Sequence, residues 1–160
     1  MSISNKRFAI ALSVLATAVC VMPASAGSFT GTYKGSPPKS VIVPPTATSP
    51  ASGGSTFSST VETTFSDGTK AKATSTCISW LTPGKGTTND AVCEAAEVAN
   101  PNNKFISSQT CLATAPADPT KPAHCWFFMR GTSGKYAGKT GQGSLYGTQA
   151  QGTFQGAWNN

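Results

Sequence analysis

Five cysteines, one histidine, six carboxylates and a glycine run that carries lysines hold whatever chemistry this 160-residue chain has to offer. Cys20 lies in the N-terminal segment. The other four, Cys77, Cys93, Cys111 and Cys125, form an even set with wide spacings and no Cys-x-x-Cys pair, which argues against zinc and for two disulfides. Of the three connectivities open to four cysteines, Cys77 with Cys93 and Cys111 with Cys125 is favoured, because each bridge then closes one local loop between neighbouring strands. Each closure would contribute ~3 kcal/mol. The lone histidine, His124, follows Pro122-Ala123 and reads as a surface loop residue rather than a general base. No metal and no cofactor are expected.

General acid and base work needs carboxylates brought together, whereas Glu62, Asp67, Asp90, Glu94, Glu97 and Asp118 fall on turns, loops and one candidate helix. Most therefore read as solvated, Glu62 included: it stands mid-strand on the parity opposite the apolar one. Two glycine motifs imitate nucleotide sites and fail on spacing. Gly138-Lys139-Thr140 resembles the end of a phosphate-binding loop, but the position five residues before Gly138 is Ser133, and no helical pattern follows. Gly141, Gly143 and Gly147 miss the dinucleotide spacing by one residue and lack the flanking strand and helix. Gly143-Ser144-Leu145-Tyr146-Gly147 places its serine one position early for a nucleophile elbow. No residue is nominated as catalytic.

The elements that would position these groups begin after an export signal. Lys6 and Arg7 supply a basic start, Phe8 to Met22 an uncharged apolar run shorter than the ~20 residues of a stable membrane span, and Ala24-Ser25-Ala26 a small-residue cleavage site. Residues 1–26 are thus read as a signal peptide cleaved after Ala26, and residues 27–160 as a single domain, periplasmic or secreted, with no membrane span after cleavage. A lipoprotein anchored at Cys20 is the rival reading, and Thr17-Ala18-Val19 before it lacks the usual leucine and final small residue. Without Lys6 and Arg7, ten basic residues face six acidic ones, a net charge of +4. The lysines are scattered and never form the compact run that would track a nucleic-acid backbone, so no nucleic-acid partner is expected.

The mature chain reads as strands. Ser28 to Tyr33 opens it, a Pro- and Ser-rich segment covers 35–54, and Ser40-Val41-Ile42-Val43 within that segment reads as an edge strand flanked by prolines. Phe57, Val61 and Phe65 share one parity, and Asp67-Gly68 supplies a turn. The return strand from Thr69 to Trp80 then puts Ala71, Ala73, Ser75 and Cys77 on one face and Lys70 and Lys72 on the other. Ala91 to Ala99 is the one candidate short helix, with Asp90 able to cap its first turn. Phe105 to Leu112 and Cys125 to Arg130 are further strands around a proline-rich loop from Ala113 to His124. Trp126-Phe127-Phe128-Met129 has large side chains on both parities and is expected to be covered on both faces. The fold class is all-β: a small antiparallel barrel of about eight strands, calycin-like, with two disulfides and at most one short helix.

The last thirty residues carry the densest pattern. Ser133-Gly134-Lys135-Tyr136-Ala137-Gly138-Lys139-Thr140-Gly141-Gln142-Gly143, followed by Gly152-Thr153-Phe154-Gln155-Gly156-Ala157-Trp158, places glycines where strands must bend or approach closely, with Tyr136, Leu145, Phe154 and Trp158 left to fill the interior. This segment resembles the late strands of bacterial relatives of the allene oxide cyclase and dirigent barrel superfamily. The resemblance covers about the last quarter of the mature chain, and it implies an eight-stranded antiparallel barrel with a cavity. It transfers no functional residue, because the shared pattern is chiefly glycine architecture.

Three functions are compatible with these readings. The first is a binding protein for a small apolar or aromatic ligand in or at the mouth of the barrel, with Trp126, Phe128, Arg130, Tyr136 and Tyr146 as candidate contacts. Arg130 would either clamp an anion at the mouth or mark where its strand meets water. The second is a cyclase-type enzyme that works by enclosure. The third is a secreted interaction protein without enzymatic activity, which would engage a protein partner.

Overall fold

Alternation of side chains between two faces, sustained strand after strand, is what closes this chain on itself. The computed structural model describes residues 27–44, 46–47, 52–81, 88–113 and 120–159. The expected signal segment and Cys20 lie outside them. Nine strands follow in order: β1 (Gly27–Gly35), β2 (Lys39–Val43), β3 (Ser52–Phe65), β4 (Lys70–Leu81), β5 (Thr88–Glu97), β6 (Lys104–Ala113), β7 (Ala123–Ser133), β8 (Thr140–Gly147) and β9 (Gln151–Asn159). From β3 to β9 each strand pairs antiparallel with the next, and β1 pairs with both β9 and β3, closing an eight-stranded barrel with β2 as an extra strand.

β1 and β2 share one edge of the long β3. Phe29–Gly35 pair with Phe65–Ser59, and Lys39–Val43 pair with Thr56–Ser52. The break between them holds Pro37 and Pro38, which have no N–H to give a ladder. The expected edge strand is therefore present, paired on one side only. The hairpin expected around Asp67-Gly68 is present too. Gly68 has φ of +82°, and the Asp67 carboxylate accepts from the Thr69 N–H at 2.9 Å and its hydroxyl at 2.7 Å. Those bonds hold the Asp67 carboxyl below its ordinary pKa.

Both disulfides join residues directly opposite each other in a ladder, Cys77 with Cys93 across β4 and β5, and Cys111 with Cys125 across β6 and β7. They therefore fix the register of two strand pairs. They also fix which parity points inward.

Two expectations fail here. The segment read as a helix from Ala91 to Ala99 is instead part of β5: Ala91, Cys93, Ala95 and Glu97 face in, and Val92 and Glu94 face out. Its Ala and Glu favour helix in isolation, but the ladder to β4 and the Cys77–Cys93 bridge override propensity. The only helical element among the described residues is a 3₁₀ turn, Gly134–Tyr136. Second, β7 is covered on one face. Phe127 and Met129 are buried, while Trp126 and Phe128 are 52% and 64% exposed. Smaller boundary differences follow from the same pairing: β3 already begins at Ser52, and Ala113, Ala123 and His124 are ladder residues rather than loop.

Candidate functional site

The barrel has a filled end and a hollow end. At the filled end, where β3 turns into β4, Phe29, Phe65, Phe105, Tyr136 and Trp158 converge. Tyr136 stacks on Trp158 with ring centres 4.8 Å apart, and Phe105 meets both edge-on at 5.4 and 5.5 Å. Such aromatic pairs add ~1 kcal/mol each beyond the surface they bury. Beneath them, the buried Glu97 carboxylate accepts from the Tyr136 hydroxyl at 2.6 Å and the Asn103 side-chain amide at 2.7 Å, and it pairs with the Lys135 ammonium at 2.6 Å. Burial alone would raise the Glu97 pKa. The bonds from Lys135, Tyr136 and Asn103 outweigh it and hold the carboxyl below its ordinary value. Burial, reinforced by the hydrogen bond to Glu97, pushes the Tyr136 phenol upward in turn.

Glu97 was expected at the surface, because it was placed on a helix. The signal that places it correctly lies in Cys93. On a strand, residues four apart share a face, so a Cys93 bridged into the interior carries Glu97 inward with it.

Toward the hollow end, the wall divides into two kinds. On β4 and β5 the inward side chains between Ala71 and Ser79 and between Ala91 and Ala95 are only Ala, Ser and Cys. Opposite them, rings abut glycine backbone. A methyl on Gly143 would collide with the Phe127 ring and the Gln155 carbonyl, and one on Gly152 would stand 2.6 Å from the Tyr33 ring. The glycines are thus the floor on which Phe127 and Tyr33 rest, so these rings line the lumen without crossing it. The space left between the two walls is a cavity of about 400 Å³. Volumes of this size accommodate small organic ligands.

Polar groups are placed sparsely along this cavity. Ser55 and Ser79 share a hydrogen bond of 2.7 Å, as do Ser59 and Ser75, and the Gln109 amide donates to Cys93 Sγ at 3.3 Å. Two hydroxyls sharing one bond use one of their two protons, so the Ser55–Ser79 pair retains a donor, whereas in the other pair Ser59 donates to Ser75 and Ser75 donates to the Cys77 sulfur at 3.8 Å. Tyr33 donates to the Thr148 carbonyl at 2.6 Å, and burial raises its pKa to about 12. Asn89 Oδ1 is buried on this wall with no hydrogen-bond partner among the described residues. Pro38, Ser40, Leu81, Lys121, Thr148 and Gln149 contribute to the rim.

Of the residues expected to contact a ligand inside the barrel, the structure brings only Tyr136 to the interior, where it lines the cavity at its filled end. Trp126, Phe128, Arg130 and Tyr146 sit on the outer face. The reason is parity: Cys125 points inward to its bridge, so Phe127 and Met129 follow it and residues 126, 128 and 130 point out. Arg130 is exposed on the outer face of β7, paired on both sides and three residues before the strand's end. Glu62 is outward, as expected, and pairs with Lys72 at 3.3 Å. His124 packs against Tyr146 with ring centres 4.5 Å apart. Both border an open outer depression of about 910 Å³ whose other walls include Thr30, Thr32, Glu62 and Lys72. That depression is larger but is walled by charged and hydroxyl side chains together with apolar ones, whereas the lumen offers the greater and more continuous apolar surface.

Among the described residues no cluster of three His, Cys, Asp or Glu side chains is arranged to hold a metal ion, and no helix is long and apolar enough to cross a membrane. Comparisons with protein-family models, curated proteins and solved structures find no match for this chain, so its site is read from its own geometry.

Proposed function

We propose that this protein binds a small, partly apolar molecule in the lumen of its barrel. The observation that carries the reading is the cavity of about 400 Å³ between an aromatic wall and a wall of Ala, Ser and disulfide sulfur. An aromatic or apolar body would lie against Phe127 and Tyr33, and one oxygen on it would accept the spare proton of the Ser55–Ser79 pair. The unpartnered Asn89 Oδ1 favours a ligand that also carries a hydrogen-bond donor.

Binding is favoured over cyclase-type catalysis because Glu97 is the only carboxylate on the described cavity wall and three donors already hold it. An exported protein is the natural setting, since two disulfides are compatible with an oxidising compartment. The resemblance of residues 133–143 to allene oxide cyclase and dirigent relatives points to the same use of a barrel interior.

The test combines a fluorescent apolar probe, N-phenyl-1-naphthylamine, with native mass spectrometry of the protein recovered from its own envelope or medium. Saturable probe binding is expected, and Ala91→Phe, which fills the lumen from the small wall, should weaken it at least about tenfold while strand content is retained. A bound mass that dissociates on unfolding would identify the ligand class. Equal probe binding by Ala91→Phe and the original protein, or an empty protein with no saturable binding, refutes the proposal.

A further inference from the structure

The outer face of β4 to β7 carries apolar bulk that the barrel does not use. Three register lines cross it. The first runs Trp80, Asp90, Thr110, Trp126; the second Ile78, Val92, Ser108, Phe128; the third Thr76, Glu94, Ile106, Arg130. Ile78 is 59% exposed and Phe128 64%, and Trp80, Val92, Ile106 and Trp126 are exposed as well. Scattered exposed hydrophobics are ordinary, but a contiguous field of six on one sheet face marks a contact surface.

The charges on this face say what covers it. Glu94 on β5 and Arg130 on β7 flank Ile106 symmetrically on the third line, one strand to either side of β6. With strands ~4.8 Å apart, their backbones stand about 10 Å from each other. The ion pairs among the described residues are Lys72 with Glu62 and Lys135 with Glu97, so neither charge is paired among those residues. Rotation by half a turn about an axis lying in the interface along β6 brings each line onto itself with β5 facing β7. Glu94 then faces Arg130 of a second copy and Arg130 faces its Glu94, while Val92 covers Phe128 and Ile106 meets Ile106. On β5 to β7 the face is complementary to itself in charge at Glu94–Arg130 and in apolar content at Val92–Phe128 and Ile106–Ile106, as an isologous contact requires. Asp90, which accepts from the Thr110 hydroxyl, lies under Trp126 at one end, and β4 falls at the margin, over β8 of the second copy.

We propose that the outer face of β5 to β7 is the contact surface of a two-fold dimer, with Ile106 near its axis and two Glu94–Arg130 pairs across it. Three strands about 4.8 Å apart and three residue lines about 7 Å apart give a footprint of roughly 200 to 300 Å² in projection. This is below the ~800 Å² that each partner contributes to a standard stable interface, so the dimer should dissociate on dilution through the micromolar range.

Sedimentation equilibrium of the purified protein over about 1 to 200 µM tests this against Glu94→Arg, Arg130→Glu and the double exchange, all surface changes that leave the interior untouched. The original protein is expected to be a concentration-dependent dimer, each single reversal to weaken it at least about tenfold, and the double exchange to return it to within about threefold. Phe128→Ser, with unchanged strand content, should also give monomer. Four results overturn the proposal: a monomer throughout, an assembly larger than a dimer, a dimer indifferent to the single reversals, and a monomer whose same face instead binds phospholipid vesicles or a different protein.

Discussion

Replacing Glu97 by Ala tests whether the filled end of the barrel depends on its buried carboxylate. The substitution removes the acceptor for three donors at once: the Tyr136 hydroxyl at 2.6 Å, the Asn103 amide at 2.7 Å and the Lys135 ammonium at 2.6 Å. Lys135 is about half exposed and recovers water, so its loss counts for no more than ~1 kcal/mol. Tyr136 and Asn103 are buried, and leaving such donors unpaired costs ~1 to 3 kcal/mol each. The sum is about 4 kcal/mol, or a lowering of the thermal midpoint by roughly 10 to 15 °C for a domain of this size. Glu97→Gln keeps the shape and one acceptor but not the charge, and should lose about half as much.

The pH dependence separates this account from a simple packing defect. The folded carboxyl titrates below the ordinary value of 4.5, so its contribution is complete above 4.5 and is lost as pH falls through the folded value. Urea unfolding followed by tryptophan fluorescence between pH 7 and pH 3 should therefore show the gap between the original protein and Glu97→Gln narrowing from about pH 4.5 downward. A gap that stays constant with pH, or an Ala variant within about 0.5 kcal/mol of the original at pH 7, refutes the reasoning.

Two further outcomes follow from the walls of the lumen. Gly143→Ala places a methyl against the Phe127 ring and the Gln155 carbonyl and should destabilise by about 1 to 3 kcal/mol in chemical denaturation, whereas Gly27→Ala, with nothing within 4 Å, should be neutral. The Tyr33 phenol, raised to about 12 by burial, favours the folded state fully below pH 10 and loses that contribution as pH rises through 12. The ultraviolet difference titration between the original protein and Tyr33→Phe should accordingly show one phenolate step near pH 12, and a step near 10 would show Tyr33 to be solvated.

The strands with clean alternation were legible from the residues alone. β3 and β4, their Asp67-Gly68 turn and the one-sided pairing of β2 all follow from side-chain parity and proline chemistry. β5 and β7 were not, for opposite reasons. On β5 the interior positions are as small as alanine, so burial leaves no apolar stripe to read and helix propensity dominates locally. On β7 large apolar groups occupy both parities, and a periodicity argument cannot choose between them. The disulfides hold the missing information: Cys93 and Cys125 each declare an inward parity, which would have placed Glu97 inside and Trp126 and Phe128 outside. The lumen itself was legible only in part. Tyr136, Leu145, Phe154 and Trp158 fill the interior as their spacing among glycines suggests, but the hollow depends on rings abutting glycine backbone, which is a property of neighbouring strands rather than of any one.

The division of the barrel into a ring-bearing wall and a wall of Ala, Ser and Cys also separates what the fold needs from what a ligand would sense. Changes at Gly143 or Phe127 strike paired surfaces, where each residue is shaped to the other. Positions such as Ala73, Ala91 and Ala95 line the cavity with nothing larger than a methyl group. Mutation can therefore resculpt the chamber at those positions by a methyl or a phenyl at a time, and the shape of the hollow can change while the architecture is kept.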